Sequence, residues 1–240
     1  MPQYGEVYIK IVRNGRCDSL KKRKTAKSHE KAIKTPAKIA KDIIVVSLYA
    51  LYRPKYVYEN KELQTRKIKE PCVIIANHCD VKDAPFLMSI FEDTPLTTMM
   101  AKDWYEKKEL TWLFAGNDCV PVDRYGLDTS WIHKSVAKLK QGNSVLIFPE
   151  GHTTKKGKHD KFKSGFVMLA MMANVPVLPI CLDREYHAVG KRKKLMIGVP
   201  TPLSPAPDGM TPDYLENEAK RFADIIDGMQ AKLDKVNSWI

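Results

Sequence analysis

Apolar residues along this chain follow two patterns: short runs that are almost wholly apolar, and longer stretches in which apolar positions recur every three or four residues. From residue 54 onward the two alternate. The runs at 55–58, 72–76, 96–100, 119–122, 144–148, 177–181 and 195–199 have the length of buried strands, and Pro71 bounds the second of them. Between them, 84–91, 104–114, 128–142 and 165–174 read as helices, the third with Asp128 as its cap and Gly142 at its end. A Pro-rich linker at 200–207 leads to a final helix opened by Thr211-Pro212-Asp213. Leu215, Ala219, Phe222, Ile226, Met229 and Leu233 line one face of that helix. Such alternation predicts an α/β fold with a largely parallel or mixed sheet flanked by helices.

Ahead of residue 54 the pattern changes. Residues 1–30 are weakly periodic, with a strand-like piece only at Val7-Tyr8-Ile9-Lys10-Ile11-Val12. Residues 30–53 read as a helix in which Pro36 fits the first turn after the candidate cap Thr35. Ile39, Ile43, Val46, Leu48, Tyr49 and Leu51 follow behind Lys34, Lys38 and Lys41, the composition of an interfacial anchor and equally of a helix that packs on a domain. The apolar core of this segment is about ten residues, whereas a helix that spans a bilayer needs roughly 20. No signal peptide is recognisable. The expected organisation is a basic arm and interfacial helix over 1–53 followed by an α/β domain over 54–240. Such a chain would lie on the cytoplasmic face of a membrane as a peripheral or monotopic protein.

Charge sharpens this division. The net charge is +12, and residues 1–41 hold twelve of the 40 basic residues against three of the 28 carboxylates. The rest, 28 basic against 25 acidic, is close to neutral. A basic arm suits a polyanion, either an anionic membrane surface or nucleic acid. Nucleic acid is the weaker candidate, because the lysines are not interleaved with stacking aromatics and no zinc-finger spacing is present. The five cysteines (Cys17, Cys72, Cys79, Cys119, Cys181) show neither a C-x-x-C pair nor a disulfide-framework spacing, as expected in a reducing cytoplasm.

Three strand ends carry chemistry, and in open α/β sheets functional groups gather beyond the carboxyl ends of strands. Asn77-His78-Cys79-Asp80-Val81-Lys82-Asp83 follows the run 72–76. A histidine with a carboxylate five positions on can act as a general base, the carboxylate fixing the tautomer and stabilising the imidazolium. The same pair also fits a histidine that simply satisfies a strand end. Val120-Pro121-Val122-Asp123-Arg124 puts an arginine fork beyond a second strand, suited to a phosphate or to a surface pair with Asp123. Phe148-Pro149-Glu150-Gly151-His152-Thr153-Thr154 places a glycine where a backbone can approach a ligand, with Glu150 able to orient neighbours.

Taken in order, these blocks resemble those of the glycerolipid acyltransferase family that includes lysophosphatidic acid acyltransferases. That family carries an Asn-His-x4-Asp block, a block ending in Arg, a Phe-Pro-Glu-Gly block and an apolar block containing Pro. Here the last is Val175-Pro176-Val177-Leu178-Pro179-Ile180, and the family's continuation after the third block appears as Phe162-Lys163-Ser164-Gly165-Phe166. The resemblance covers about residues 70–200. It implies transfer of a fatty acyl chain from a thioester, on acyl-CoA or acyl-carrier protein, to the free hydroxyl of lysophosphatidic acid, giving phosphatidic acid. Glycerol 3-phosphate or another lysolipid is the alternative acceptor. His78 would be the base, oriented by Asp83, with direct attack and no acyl-enzyme. The backbone N–H of Gly151 or of its neighbour would hold the oxyanion. Arg124 and Lys102 would hold the acceptor phosphate, and Glu150 would complete the acceptor site. No metal or redox cofactor is required, and His29, His133, His152, His159 and His187 read as structural or solvated. One departure stands out: where the family's third block continues Thr-Arg-Ser, this chain has His152-Thr153-Thr154, so the usual arginine is missing and Lys155 or Lys156 is the nearest substitute charge.

Overall fold

The computed structural model describes residues 36–58, 67–91, 94–107, 114, 118–124, 128–154, 159–184 and 192–237. The expected strand at 7–12, the basic arm, and Lys155 and Lys156 lie outside the described residues. In chain order the elements are α1 (Pro36–Tyr52), β1 (Lys55–Val57), β2 (Val73–Ala76), α2 (Asp83–Ile90), β3 (Leu96–Ala101) and α3 (Lys102–Tyr105). They continue with β4 (Cys119–Val122), α4 (Ser130–Lys140), β5 (Ser144–Ile147), α5 (Gly165–Ala173), β6 (Val177–Leu182), β7 (Lys194–Ile197) and α6 (Pro212–Asn237).

The strands form one sheet in the order β1-β7-β6-β2-β5-β3-β4. The five strands from β6 to β4 are mutually parallel, β7 runs antiparallel to β6, and β1 follows β7. The sheet is therefore mixed at one edge. Its centre is β2, where Val73, Ile74, Ile75 and Ala76 are all fully buried. A central parallel strand is covered on both faces, which is why its sequence is continuously apolar rather than alternating.

Successive side chains of β2 feed two cores. Val73 and Ile75 join Ile132 and Val136 of α4, Phe166 and Leu169 of α5, and Phe222 and Ile226 of α6. Phe166 and Phe222 meet edge to face with ring centroids 5.6 Å apart. Ile74 and Ala76 join Phe86, Leu87 and Ile90 of α2 on the other face. Burying each such side chain stabilises the fold by about 1.5–3 kcal/mol. The strand ends are thus held from both sides, and the loops beyond them inherit that rigidity.

Local signals fix the element ends. Asp128 accepts the Ser130 N–H at 2.8 Å and so caps α4 from two residues outside it. That bond draws its carboxyl below the usual aspartate range. At the other end of α4, Gly142 N–H bonds the Leu139 carbonyl and Asn143 N–H the Lys138 carbonyl. This Schellman pairing requires a left-handed residue, and Gly142 has φ +96°. The helix expected over 104–114 starts earlier, at Lys102, and its first described piece is the single turn of α3. Residues 108–113 lie outside the described residues.

The helix expected before residue 54 is present as α1, and it belongs to the compact unit that begins at Thr35. Its end rests on α2, where Tyr52 meets Phe86 edge to face at 6.3 Å. Val45 is buried, whereas Ile39, Ile43, Ile44, Val46, Tyr49 and Leu51 are exposed. Among the described residues, no helix is long and apolar enough to cross a membrane.

Candidate active site

The loop from Asn77 to Lys82 leaves the carboxyl end of β2 and turns into α2, whose first residue is Asp83. Asn77 fixes its start: the side-chain amide accepts the Leu182 N–H at 2.7 Å and donates to the Leu182 carbonyl at 3.0 Å. This reciprocal pair ties the end of β2 to the end of β6. Asp83 fixes its finish. Its Oδ2 accepts the N–H groups of Cys79 at 2.6 Å and Asp80 at 2.8 Å, and lies 3.0 Å from His78 Nδ1. Because Asp83 is completely buried, those donors replace water around the carboxylate. An ionised carboxylate beside Nδ1 accepts a hydrogen bond from Nδ1–H, which keeps the ring proton on Nδ1 and leaves Nε2 as the basic nitrogen. The ring stacks on Phe148 with centroids 4.1 Å apart, so its plane is set as well as its tautomer.

Glu150 stitches this loop to the turn beyond β5. Its Oε1 accepts the His78 N–H at 2.7 Å. Its Oε2 accepts the Thr154 hydroxyl and the Asp160 N–H. The Thr154 N–H returns to the His78 carbonyl at 2.8 Å. Glu150 is 1% exposed, so the carboxylate expected to face an acceptor is spent inside the protein holding two loops together.

Gly151 follows at the apex of the turn with φ +77°. Its N–H donates to the Phe148 carbonyl at 3.1 Å and is used in the turn itself. Of the two donors expected for an oxyanion, the neighbouring His152 N–H is the one with no acceptor among the described residues. The Gly151 carbonyl accepts from Arg124 Nη1 at 2.9 Å, while Nη2 makes a two-pronged pair with Asp103 at 2.9 Å to each oxygen. Arg124 thus braces the turn beyond β5 against the start of α3. Lys102 stands beside Asp103 with its exposed ammonium 3.9 Å from Glu106.

Sequence reading therefore finds His78, Asp83, Glu150, Gly151 and Arg124, and hydrogen bonds join them into one network beyond the carboxyl ends of β2, β4 and β5. It misses Asp103 and Lys193. Lys193 is 2% exposed, and its ammonium donates to the Asp183 carbonyl. Burial pulls its pKa down, opposed chiefly by the negative charge of Asp83. It is the one buried lysine among the described residues. No spacing signal marks it, since nothing in its neighbourhood distinguishes it from the other lysines near 191–194. Cys79 also shares this loop. Burial, reinforced by the charge of Asp83, pushes its pKa up to about 12, so it stays a thiol at neutral pH.

A model of the family described as Acyltransferase matches residues 55–183, more than half of the chain and the whole of this network. The chain belongs to the acyltransferase family. Among curated relatives, a 1-acyl-sn-glycerol-3-phosphate acyltransferase of Pseudomonas aeruginosa is 34% identical over 117 residues, covering 47% of this chain and 44% of that protein. A probable 1-acyl-sn-glycerol-3-phosphate acyltransferase of Mycoplasma pneumoniae is 30% identical over 135 residues, covering 53% of this chain and 50% of the relative. The chain thus spans about half the length of the curated relatives it matches. The crystal structure of the 1-acyl-sn-glycerophosphate (LPA) acyltransferase from Thermotoga maritima superposes with a TM-score of 0.56, 18% identity and 83% coverage of both chains. At that identity the likeness establishes a shared fold. The acyltransferase match includes β2, β4 and β5, the strands that carry the network.

Proposed function

We propose that this acyltransferase moves a fatty acyl group from a thioester to the free hydroxyl of lysophosphatidic acid, giving phosphatidic acid. The observation that carries the reading is the His78–Asp83 pair at 3.0 Å on a buried carboxylate, within a chain of this family. The substrate names of the relatives point to the acceptor.

In the proposed reaction the acceptor hydroxyl gives its proton to His78 Nε2 as its oxygen attacks the thioester carbonyl. Asp83 stabilises the imidazolium that forms. The tetrahedral oxyanion is met by the His152 N–H at the apex of the third block. When the intermediate collapses, the C–S bond breaks, the new C–O ester remains, and the imidazolium proton passes to the departing thiolate. His78 is then ready for another cycle, with no acyl-enzyme. The protonated state of Cys79 supports this route, because a thiol beside the base is a poor nucleophile unless ionised.

The basic flank made by Arg124 and Lys102 is assigned to the acceptor side, and acyl-CoA or acyl-carrier protein is the donor. The exposed apolar residues of α1, with Lys38 and Lys41 on the same helix, suit a peripheral seat on an anionic cytoplasmic membrane face. Glycerol 3-phosphate or another lysolipid is the second reading, favoured by Thr153 standing where the family's arginine would be.

Purified protein incubated with acyl-CoA should release free thiol and form phosphatidic acid when lysophosphatidic acid is added. Release only with glycerol 3-phosphate would move the acceptor to the second reading. Absence of transfer to lysophosphatidic acid, glycerol 3-phosphate or any other lysolipid, from acyl-CoA or acyl-carrier protein, would contradict both.

A further inference from the structure

The cations around the third-block turn are not equivalent. Arg124 spends both terminal nitrogens on the Gly151 carbonyl and Asp103. Lys102 faces Glu106, and Lys161 pairs with Glu216. Lys163 differs. Among the described residues, no carboxylate lies within ion-pair distance of its ammonium. Its position is nevertheless defined. The Lys163 N–H donates to the Pro149 carbonyl at 2.9 Å, which pins its backbone to the turn. Its side chain then lies over Gly151, with Nζ, Cε and Cδ 3.1, 3.2 and 3.5 Å from where a Cβ at Gly151 would stand. The absence of a side chain at that left-handed position is what gives the lysine its path.

We propose that Lys163 is the cation that receives the phosphate monoester of the acyl acceptor, at a turn where Thr153 replaces the arginine of the family pattern. This rests on the acyltransferase reading above. A positive charge without a carboxylate partner, held over the apex of a loop at the carboxyl ends of the parallel strands, is where an anionic group gains most and displaces least. Arg124, by contrast, would have to give up a two-pronged pair before it could grip a phosphate through the same nitrogens. Lysine offers three donors on a flexible stem rather than a planar fork, so the contact is one of charge rather than fixed geometry. The same contact serves lysophosphatidic acid and glycerol 3-phosphate, which share the phosphate monoester and differ in the acyl tail.

The test compares wild type, Lys163→Met and Lys163→Arg in thiol release from acyl-CoA, with lysophosphatidic acid and glycerol 3-phosphate as separate acceptors. In Lys163→Met the KM of the acceptor that wild type uses should rise about ten- to a hundredfold, the scale of a lost charge-assisted hydrogen bond. Its kcat should stay within about threefold, and Lys163→Arg should recover most of the loss. An unchanged KM in a variant of an active wild type overturns the assignment of Lys163 and leaves the acyltransferase reading intact. A fall in kcat at constant KM also overturns it, by putting the ammonium on the oxyanion. A wild type inactive with every phosphate-bearing acceptor overturns both. Protection supplies a measurement without turnover: saturating acceptor should shield Lys163 from amine-directed labelling read by mass spectrometry, and equal labelling with and without it contradicts the proposal.

Discussion

The two halves of the site meet at His78 but are built on opposite principles. On the β2 side the groups that hold the base are taken inside: Asp83 is fully buried, Asn77 is 3% exposed, and one carboxylate oxygen serves His78, Cys79 and Asp80. On the β4 and β5 side Glu150 is buried as well, but the cation is held at the edge: Arg124, its side chain 20% exposed, pairs with Asp103, whose side chain is 60% exposed. A buried carboxylate stripped of its donors is costly, whereas an exposed ion pair is worth about 0–1 kcal/mol and exchanges readily. In the proposed reaction, proton transfer would therefore have a rigid seat, and the acceptor would meet a surface whose charges can be redistributed.

The largest effect that would break the contrast is expected from Asp83→Asn. An amide cannot stabilise the imidazolium, and it can offer its NH2 to Nδ1 and impose the wrong tautomer. Loss of kcat on the order of 10²–10⁴ is predicted, with little change in acceptor KM. Glu150→Gln comes next. It keeps the shape but weakens the bonds that join the halves, and a roughly tenfold loss of kcat with a fall of about 1–2 kcal/mol in unfolding free energy should appear in denaturant titrations. Asp103→Ala tests the softer half. With Arg124 released from its exposed partner, acceptor KM should shift by about two- to fivefold and stability by less than 1 kcal/mol. The smallest effect belongs to Cys79→Ser, which should keep kcat within about threefold; a loss comparable to that of Asp83→Asn would implicate the thiol as a nucleophile and contradict direct attack.

The rigid half was the more legible in the sequence. His78 and Asp83 lie five positions apart, at the end of a strand whose apolar run announces burial on both faces, so their contact follows from a short loop entering a helix. The softer half depends on residues far apart in the chain. Asp103 meets Arg124 only because β3 and β4 are neighbours in the sheet, and Lys163 reaches Gly151 only because the intervening segment folds back. Charge at these positions could be read, but not its partner. The mixed edge was legible only as one of two possibilities, since the reversal of β7 against β6 is set by the connection between them rather than by either strand's pattern. Helices show the same limit. α1 and α6 both carry apolar stripes, yet Phe222, Ile226 and Leu233 of α6 are buried while Ile43, Val46 and Leu51 of α1 are exposed. Periodicity identifies an apolar face; it does not say what covers it.

The central claim is that the imidazole held by Asp83 takes the acceptor's proton. Thiol release from acyl-CoA by wild type and His78→Ala, with lysophosphatidic acid as acceptor and the fold of both checked by circular dichroism, tests it most directly. The account predicts a kcat lower by at least about 10²–10⁴ in the variant with an unchanged fold. Release at the wild-type rate from a folded His78→Ala protein would contradict it.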